Sequence, residues 1–228
     1  MKVGTDGVLL GAWAKVEPAA KRILDIGTGT GLLALMLAQK SSTSSSTTMI
    51  DAVEINHSAF LQASENFSAS PWANRLKIYP SSIQKFAQIV PYSYDLIISN
   101  PPYFHHSHKA KTAARTQARH SDMLSPNELL EAVQKLLQPK GSFKLIMPVT
   151  EGLQFQELAS EYNFYTHRLM HFKPKPNKTP KRVLMEFRLY EKEGGIEVGE
   201  LIGRGEDNLH TDAYRQLTTE FYLDKALS

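Results

Sequence analysis

The 228-residue chain contains no cysteine. A disulfide framework, a thiolate metal site and a cysteine nucleophile are therefore excluded. The chain also lacks any run of about 18 apolar residues, the length that spans a bilayer as a helix. Its first apolar stretch, Val8 to Ala14, is short and follows Asp6 and Gly7, which makes a poor signal peptide. A soluble, cytoplasmic protein with no membrane partner is expected. Charge is nearly balanced, with 26 Lys and Arg against 23 Asp and Glu, net +3. That sum alone names no polyanionic partner. With 42% hydrophobic and 21% charged residues, the composition is that of a folded chain and not of a disordered one. The length suits one domain over residues 1–228, large enough to bury a substantial core.

The apolar pattern reads as strands alternating with helices. Strands are expected at Arg22–Ile26, Met49–Glu54, Arg75–Tyr79, Tyr94–Ser99, Ser142–Met147, His167–Phe172 and Val183–Tyr190. Helices are expected at Leu32–Gln39, Ser58–Phe67, Pro126–Gln138 and Thr211–Ala226, with a polar Ser/Thr loop at Ser41–Thr48. Such alternation predicts an α/β fold: a Rossmann-like, mostly parallel seven-stranded sheet with helices on both faces. The last two strands have no helix between them and are expected to form an antiparallel hairpin at one edge.

Asp25-Ile26-Gly27-Thr28-Gly29-Thr30-Gly31 falls at the first strand-to-helix turn. Glycines there permit positive φ and close approach of backbone to a ligand. The dinucleotide fingerprint needs its third glycine three positions after the second, where this chain has Leu32. The spacing departs from a pyrophosphate cradle and fits an amino-acid-bearing nucleoside such as S-adenosylmethionine. Glu54 ends the next strand, where a carboxylate can accept both ribose hydroxyls.

Asn100-Pro101-Pro102-Tyr103 follows the fourth strand. Two prolines fix φ and remove two backbone donors. The Asn100 amide oxygen and the Pro101 carbonyl can then each accept one N–H of an amine nucleophile and aim its lone pair at a sulfonium methyl. Tyr103 offers a flat face to the planar group that bears the amine. The sulfonium is already activated, so positioning supplies most of the catalysis.

These two motifs together resemble the class I methyltransferases that modify planar exocyclic amines. More closely, Met1-Lys2-Val3-Gly4-Thr5-Asp6-Gly7-Val8-Leu9-Leu10-Gly11-Ala12-Trp13-Ala14 resembles the signature of the bacterial tRNA1(Val) (adenine(37)-N6)-methyltransferases. Ser70-Pro71-Trp72-Ala73, Arg115-x-x-x-Arg119 and Phe221-Tyr222-Leu223 resemble the same family. The resemblance implies methyl transfer from S-adenosylmethionine to N6 of the adenosine just 3′ of the anticodon in a valine tRNA. It implies Asn100, Pro101, Pro102 and Tyr103 as the catalytic turn. It implies Asp25, Gly27, Gly29, Gly31, Glu54 and Asn100 at the cofactor, with Thr5 and Asp6 near its methionine end. The chain departs from the family pattern in two places. Ser82 stands where an acid often binds the cofactor adenine. An N-terminal arm with a Phe-Lys-Gln-Phe-like motif is expected to be absent, since the chain begins at Met1.

Two segments carry cations and no acid: His105–His120 with Lys109, Lys111, Arg115 and Arg119, and Tyr165–Arg182 with Arg168, Lys173, Lys175, Lys178, Lys181 and Arg182. They hold 10 of the 26 basic residues, none of the 23 acids and six of the eight histidines. Such clusters suit RNA phosphates. A target base must be unpaired or flipped out and stacked in a pocket; Tyr103 is the expected platform and Phe104 a second contact. His105, His106 and His108 have no cysteine or acid cluster beside them, and no metal is expected. Trp13 and Trp72 read as packing residues, and a monomer is the default. Three alternatives remain open: a glutamine methyltransferase acting on a release factor, a guanine-N2 RNA methyltransferase, and a non-catalytic RNA-binding protein.

Overall fold

The computed structural model describes residues 4–42, 47–102 and 124–222. The strands are β1 (Arg22–Ile26), β2 (Met49–Glu54), β3 (Leu76–Pro80), β4 (Tyr94–Ser99), β5 (Leu137–Pro148), β6 (Tyr165–Lys173), β7 (Arg182–Arg188) and β8 (Glu197–Ile202). The helices are α1 (Thr5–Trp13), α2 (Leu32–Ser41), α3 (His57–Ala69), α4 (Ile83–Ile89), α5 (Pro126–Leu136), α6 (Val149–Glu161) and α7 (Asp212–Thr218).

The strands form one sheet in the order β3-β2-β1-β4-β5-β7-β6-β8. β3, β2, β1, β4 and β5 run parallel, and β7 is antiparallel to both β5 and β6. The α/β architecture and the β6–β7 hairpin are as expected, but the strand count is eight and the hairpin is not the edge. β8 pairs parallel to β6 beyond it. Glu197-Val198-Gly199-Glu200 carries two acids and a glycine, a poor strand signal. Those acids suit an edge strand: Glu197 pairs with Arg168 at 3.3 Å and Glu200 with Lys173 at 2.7 Å.

Two apolar layers sandwich the sheet. One face packs Leu24, Ile97, Phe143, Leu145, Met185 and Phe187 against α4, α5 and α6. The other packs Ile23, Ile50, Ile98, Ile146 and Leu184 against α1, α2 and α7. α5 opens with a capping box, in which Ser125 and Glu128 satisfy each other's orphan N–H groups. It ends at Leu136, where β5 begins at once, five residues before the expected strand.

α1 occupies the most specific segment of the sequence, yet no helical period marks it, because seven of its nine residues are buried. Its glycines explain the close fit on α2. A Cβ at Gly11 would lie 2.5 Å from the Met36 sulfur, and one at Gly7 would lie 3.0 Å from Leu32. Residues four apart share a helix face, so the two glycines form one seat for α2.

Cations hold the C-terminal end of α1. Lys40 Nζ donates to the carbonyls of Gly11, Ala12 and Ala14, and Lys144 Nζ to that of Lys15 at 2.7 Å. Those of Gly11 and Ala12 are carbonyls that a helix end leaves without partners, and Lys15 stands just past the cap. Lys144 is 1% exposed and lies 3.4 Å from Glu186. Burial pulls its pKa down to about 8 despite that carboxylate. Glu186 is itself held low: burial would raise it, but Lys144, Arg188 and Arg168 together outweigh burial.

Removing one member of a buried ion pair strands the other. Lys144→Ala is expected to lower unfolding stability by about 3 kcal/mol, and Lys144→Met with Glu186→Leu to recover part of that loss. Chemical denaturation of the three proteins measures both, and a double variant no better than the single one would contradict the account.

Candidate active site

The pairing register brings the sequence-selected residues into one row. β1 pairs Ile26 with Val53 of β2 and with Ser99 of β4. The next residue on each strand is therefore Glu54, Gly27 and Asn100, side by side at the carboxyl edge of the parallel sheet. The Ser99 hydroxyl donates to the Ile26 carbonyl at 2.9 Å and ties the two strand ends together. Ligands of open α/β sheets bind at this edge.

Gly27, Gly29 and Gly31 have φ of +68°, +59° and +86°. All three lie in the left-handed region, where a side chain is strained. A Cβ at Gly27 would meet nothing within 4 Å, whereas one at Gly31 would lie 2.5 Å from Phe67 Cε1. The first glycine thus borders open space, and the third lets α2 pack on α3. The N–H groups of Gly27 and Thr28 both donate to the Val53 carbonyl.

Two carboxylates shape the loop. Glu54 accepts from the N–H of Gly29 at 2.9 Å and of Asn56 at 2.7 Å, one on each oxygen. A carboxylate has about four acceptor sites, so Glu54 keeps capacity for ribose hydroxyls. Asp25 is fully buried; its Oδ2 accepts from the Thr28 hydroxyl at 2.5 Å and from the Ala34 N–H at 3.1 Å. Its Oδ1 is buried without a hydrogen-bond partner. Burial drives the Asp25 pKa up to about 7, against the pull of those two bonds. Thr28, the link between loop and Asp25, escaped the sequence reading. A hydroxyl residue three positions after a buried strand aspartate is the available signal.

Asn100 is half-buried, Pro101 buried and Pro102 exposed. Tyr103, Phe104, Lys109, Lys111, Arg115 and Arg119 lie outside the described residues, as do His105, His106 and His108. Ser82 caps α4, its side chain accepting from the Lys85 N–H at 3.3 Å. Thr5 opens α1, and Asp6 forms an ion pair with Arg182 at 2.8 Å.

That pair corrects the charge reading of Tyr165–Arg182. The segment has no acid of its own, but neighbouring elements supply them. Arg182 meets Asp6, Lys173 meets Glu200, and Arg168 meets Glu197 and Glu186. Among the described residues no carboxylate pairs with Lys175, Lys178 or Lys181, which stand on the β6–β7 connection. That connection is at the carboxyl edge, since Arg182 pairs with Pro148, the last residue of β5. Trp13 and Trp72 pack as expected, Trp13 with Arg168 over its ring at 4.3 Å. Among the described residues no cluster of metal-ligating side chains occurs, and no helix is long and apolar enough to cross a membrane.

A strand row of this kind, with glycine loop, ribose-ready carboxylate and Asn-Pro-Pro turn, defines a methyltransferase of the doubly wound class. The family model for the methyltransferase small domain matches residues 5–165. The tRNA1(Val) (adenine(37)-N6)-methyltransferase of Pectobacterium carotovorum is 44% identical over 98% of this chain and 88% of its own length. The protein of the same name from Trichodesmium erythraeum is 45% identical over 98% and 91%. The chain belongs to this tRNA1(Val) (adenine(37)-N6)-methyltransferase family. Two solved structures share the fold. A protein of Agrobacterium tumefaciens described as a predicted O-methyltransferase has a TM-score of 0.71 at 15% identity, covering 94% of this chain and 96% of its own. A glycopeptide N-methyltransferase complexed with S-adenosylmethionine has 0.58 at 12%, covering 83% and 89%.

The raised Asp25 pKa carries a sign. The folded state keeps a proton that the unfolded chain loses near pH 3.8, so this stabilisation is complete below that value. It is lost as pH rises and is gone above about 7. Asp25→Asn cannot titrate. The Tm advantage of wild type over this variant is therefore expected to shrink from pH 4.5 to 7.5 and then level; parallel Tm curves would refute the buried proton.

Proposed function

We propose that the protein methylates N6 of adenosine 37 in a valine tRNA, with S-adenosylmethionine as methyl donor. The observation that carries this reading is identity of 44–45% across 98% of the chain to relatives bearing that name. The residues present suit the cofactor. Glu54 has lone pairs for the ribose, the glycine loop leaves backbone open to a ligand, and Ser82 stands near the strand end where the adenine amine would be read. Thr5 and Asp6, at the first turn of α1, are assigned to the methionine end.

S-adenosylmethionine supplies a methyl group on positively charged sulfur, which needs no further activation. The rest falls to the chain. The Asn100 amide oxygen accepts one N–H of the adenine amine and the Pro101 carbonyl the other. Pro102 keeps the turn rigid and removes a competing backbone donor. Tyr103 stacks against the base. With both protons held, the N6 lone pair stands free of the ring plane and faces the methyl carbon. The new N–C bond forms as the C–S bond breaks, and N6 gives its surplus proton to water. Fixing a near-attack geometry of this kind is worth several powers of ten in rate.

Lys175, Lys178 and Lys181 are assigned to the tRNA backbone, together with Lys109, Lys111, Arg115 and Arg119 beyond the catalytic turn. Lys173 and Arg182 hold acids of neighbouring elements and act as braces for that surface. The expected substrate is the anticodon loop, where the base is unpaired and within reach of a flat pocket.

Incubation with labelled S-adenosylmethionine and tRNA lacking the modification is expected to label a valine tRNA, and nucleoside analysis to find N6-methyladenosine. Label in release factor and none in RNA would overturn the reading. Asn100→Ala is expected to lower kcat by at least about 100-fold, with S-adenosylmethionine affinity within twofold; retained turnover would remove Asn100 from its role. Lys175→Gln, Lys178→Gln and Lys181→Gln combined should reduce the slope of log affinity for tRNA against log salt by about 2–3. Cofactor affinity should stay unchanged, and an unaltered slope would place the RNA surface elsewhere.

A further inference from the structure

The carboxyl edge of the sheet carries a cavity that shares only Thr5 with the residues assigned to the methyl donor. Its volume is about 320 Å³, and Thr5, Phe172, Arg204, His210, Tyr214 and Tyr222 line it. Small-molecule pockets run from roughly 300 to 1,000 Å³, so this one suits a single flat group. Its place follows from the register. Phe172 pairs with Arg182, which pairs in turn with Pro148 at the end of β5. Thr5 begins the helix that Asp6 anchors to Arg182. The lysine-bearing connection starts at Pro174, another wall residue.

The walls are aromatic and cationic. His210 stacks on the buried Tyr214 with centroids 4.5 Å apart and planes within 8°. Phe172 lies 6.3 Å from the same tyrosine. Gly203 makes room for that phenyl ring, since a Cβ there would sit 3.0 Å from it. A carbonyl can only accept, so His210 Nδ1 must donate to the Gly203 oxygen at 3.1 Å. Nε2 is then the acceptor for the Arg204 guanidinium, also at 3.1 Å. A second Arg204 nitrogen donates to the Asn208 carbonyl at 2.6 Å. The guanidinium is thus oriented entirely by neutral groups, and among the described residues no carboxylate pairs with it. Its full positive charge faces a ring-lined cavity.

Flat, π-rich and anionic is the chemistry of a nucleotide. We propose that this cavity receives an unpaired nucleotide of the substrate RNA other than the one methylated, its base against the aromatic walls and its phosphate on Arg204. The inference rests on the RNA-methyltransferase reading above. A second anchor serves a substrate whose target base must be splayed out, because it holds a neighbouring loop nucleotide while that base enters the site. Aromatic stacking with an arginine beside it is the usual means of gripping single-stranded nucleic acid.

Steady-state methylation of unmodified valine tRNA by wild type, Arg204→Gln, Tyr222→Ala and Tyr222→Phe tests this, with S-adenosylmethionine affinity and Tm measured alongside. Arg204→Gln and Tyr222→Ala are expected to raise KM for tRNA by about 5- to 100-fold, the range of one lost base stack. They should leave kcat and cofactor affinity within about twofold, and Tyr222→Phe, which keeps the ring, should match wild type. Unchanged KM in Arg204→Gln and Tyr222→Ala would overturn the proposal. So would weakened cofactor binding, which would assign the cavity to the donor, or an equal loss in Tyr222→Phe, which would reduce Tyr222 to its hydroxyl contact with Tyr214. If Tyr222→Ala fails to fold, Arg204→Gln alone decides. A wild type that methylates no tRNA would refute the parent reading; an active wild type with insensitive variants would refute only the cavity.

Discussion

The site depends on one buried carboxylate. Gly31 is the N-cap of α2 and has no side chain with which to satisfy the first-turn amides. Asp25, six residues earlier and on the strand, accepts the Ala34 N–H in its place. Strand end and helix start are thereby joined across a loop of three left-handed glycines. A side chain on the loop could not do this without closing the space that a ligand needs. The cost is a carboxyl group removed wholly from water, and its pKa rises to about 7 in consequence. Thr28 and Ala34 supply the two bonds that make the burial tolerable.

Glu54 complements Asp25 from the neighbouring strand. It holds the middle of the loop through Gly29 and the entry to α3 through Asn56. Each of these bonds uses one lone pair of an oxygen that can accept two. A residue that orients the loop in the free protein can therefore also read a ribose. α1 belongs to the same system. Its C-terminal carbonyls are held by Lys40 and Lys144 and its first turn by Arg182. The helix is thereby tied down at both ends, its first turn at the carboxyl edge of the sheet.

Much of this was legible in the residues. Asp25, the three glycines, Glu54 and the Asn-Pro-Pro turn all belong to strand ends whose apolar runs are unmistakable, so their alignment followed once the order of parallel strands was known. α1 showed no amphipathic period because it is buried on nearly every side, and only its family resemblance marked it as important. β8 was hidden because its pairing depends on Arg168 and Lys173 of a distant strand, not on local alternation. Arg204, His210 and Tyr214 came together through a turn in which His210 reaches back to Gly203, an arrangement no spacing rule encodes.

The basic segment between β6 and β7 illustrates why counting charge along a chain misleads. Cations within strands or at their ends have neighbours set by register, and acids from β7, β8 and α1 reach Arg168, Lys173 and Arg182. Cations on the connection have no strand beside them. Lys175, Lys178 and Lys181 therefore meet no carboxylate among the described residues, and they stand at the carboxyl edge of the sheet. Folding thus offsets positive charge along the strands and leaves it on the connection at the carboxyl edge of the sheet. Cations left without acids attract a polyanion over a distance, an effect that acts on association before any specific contact forms.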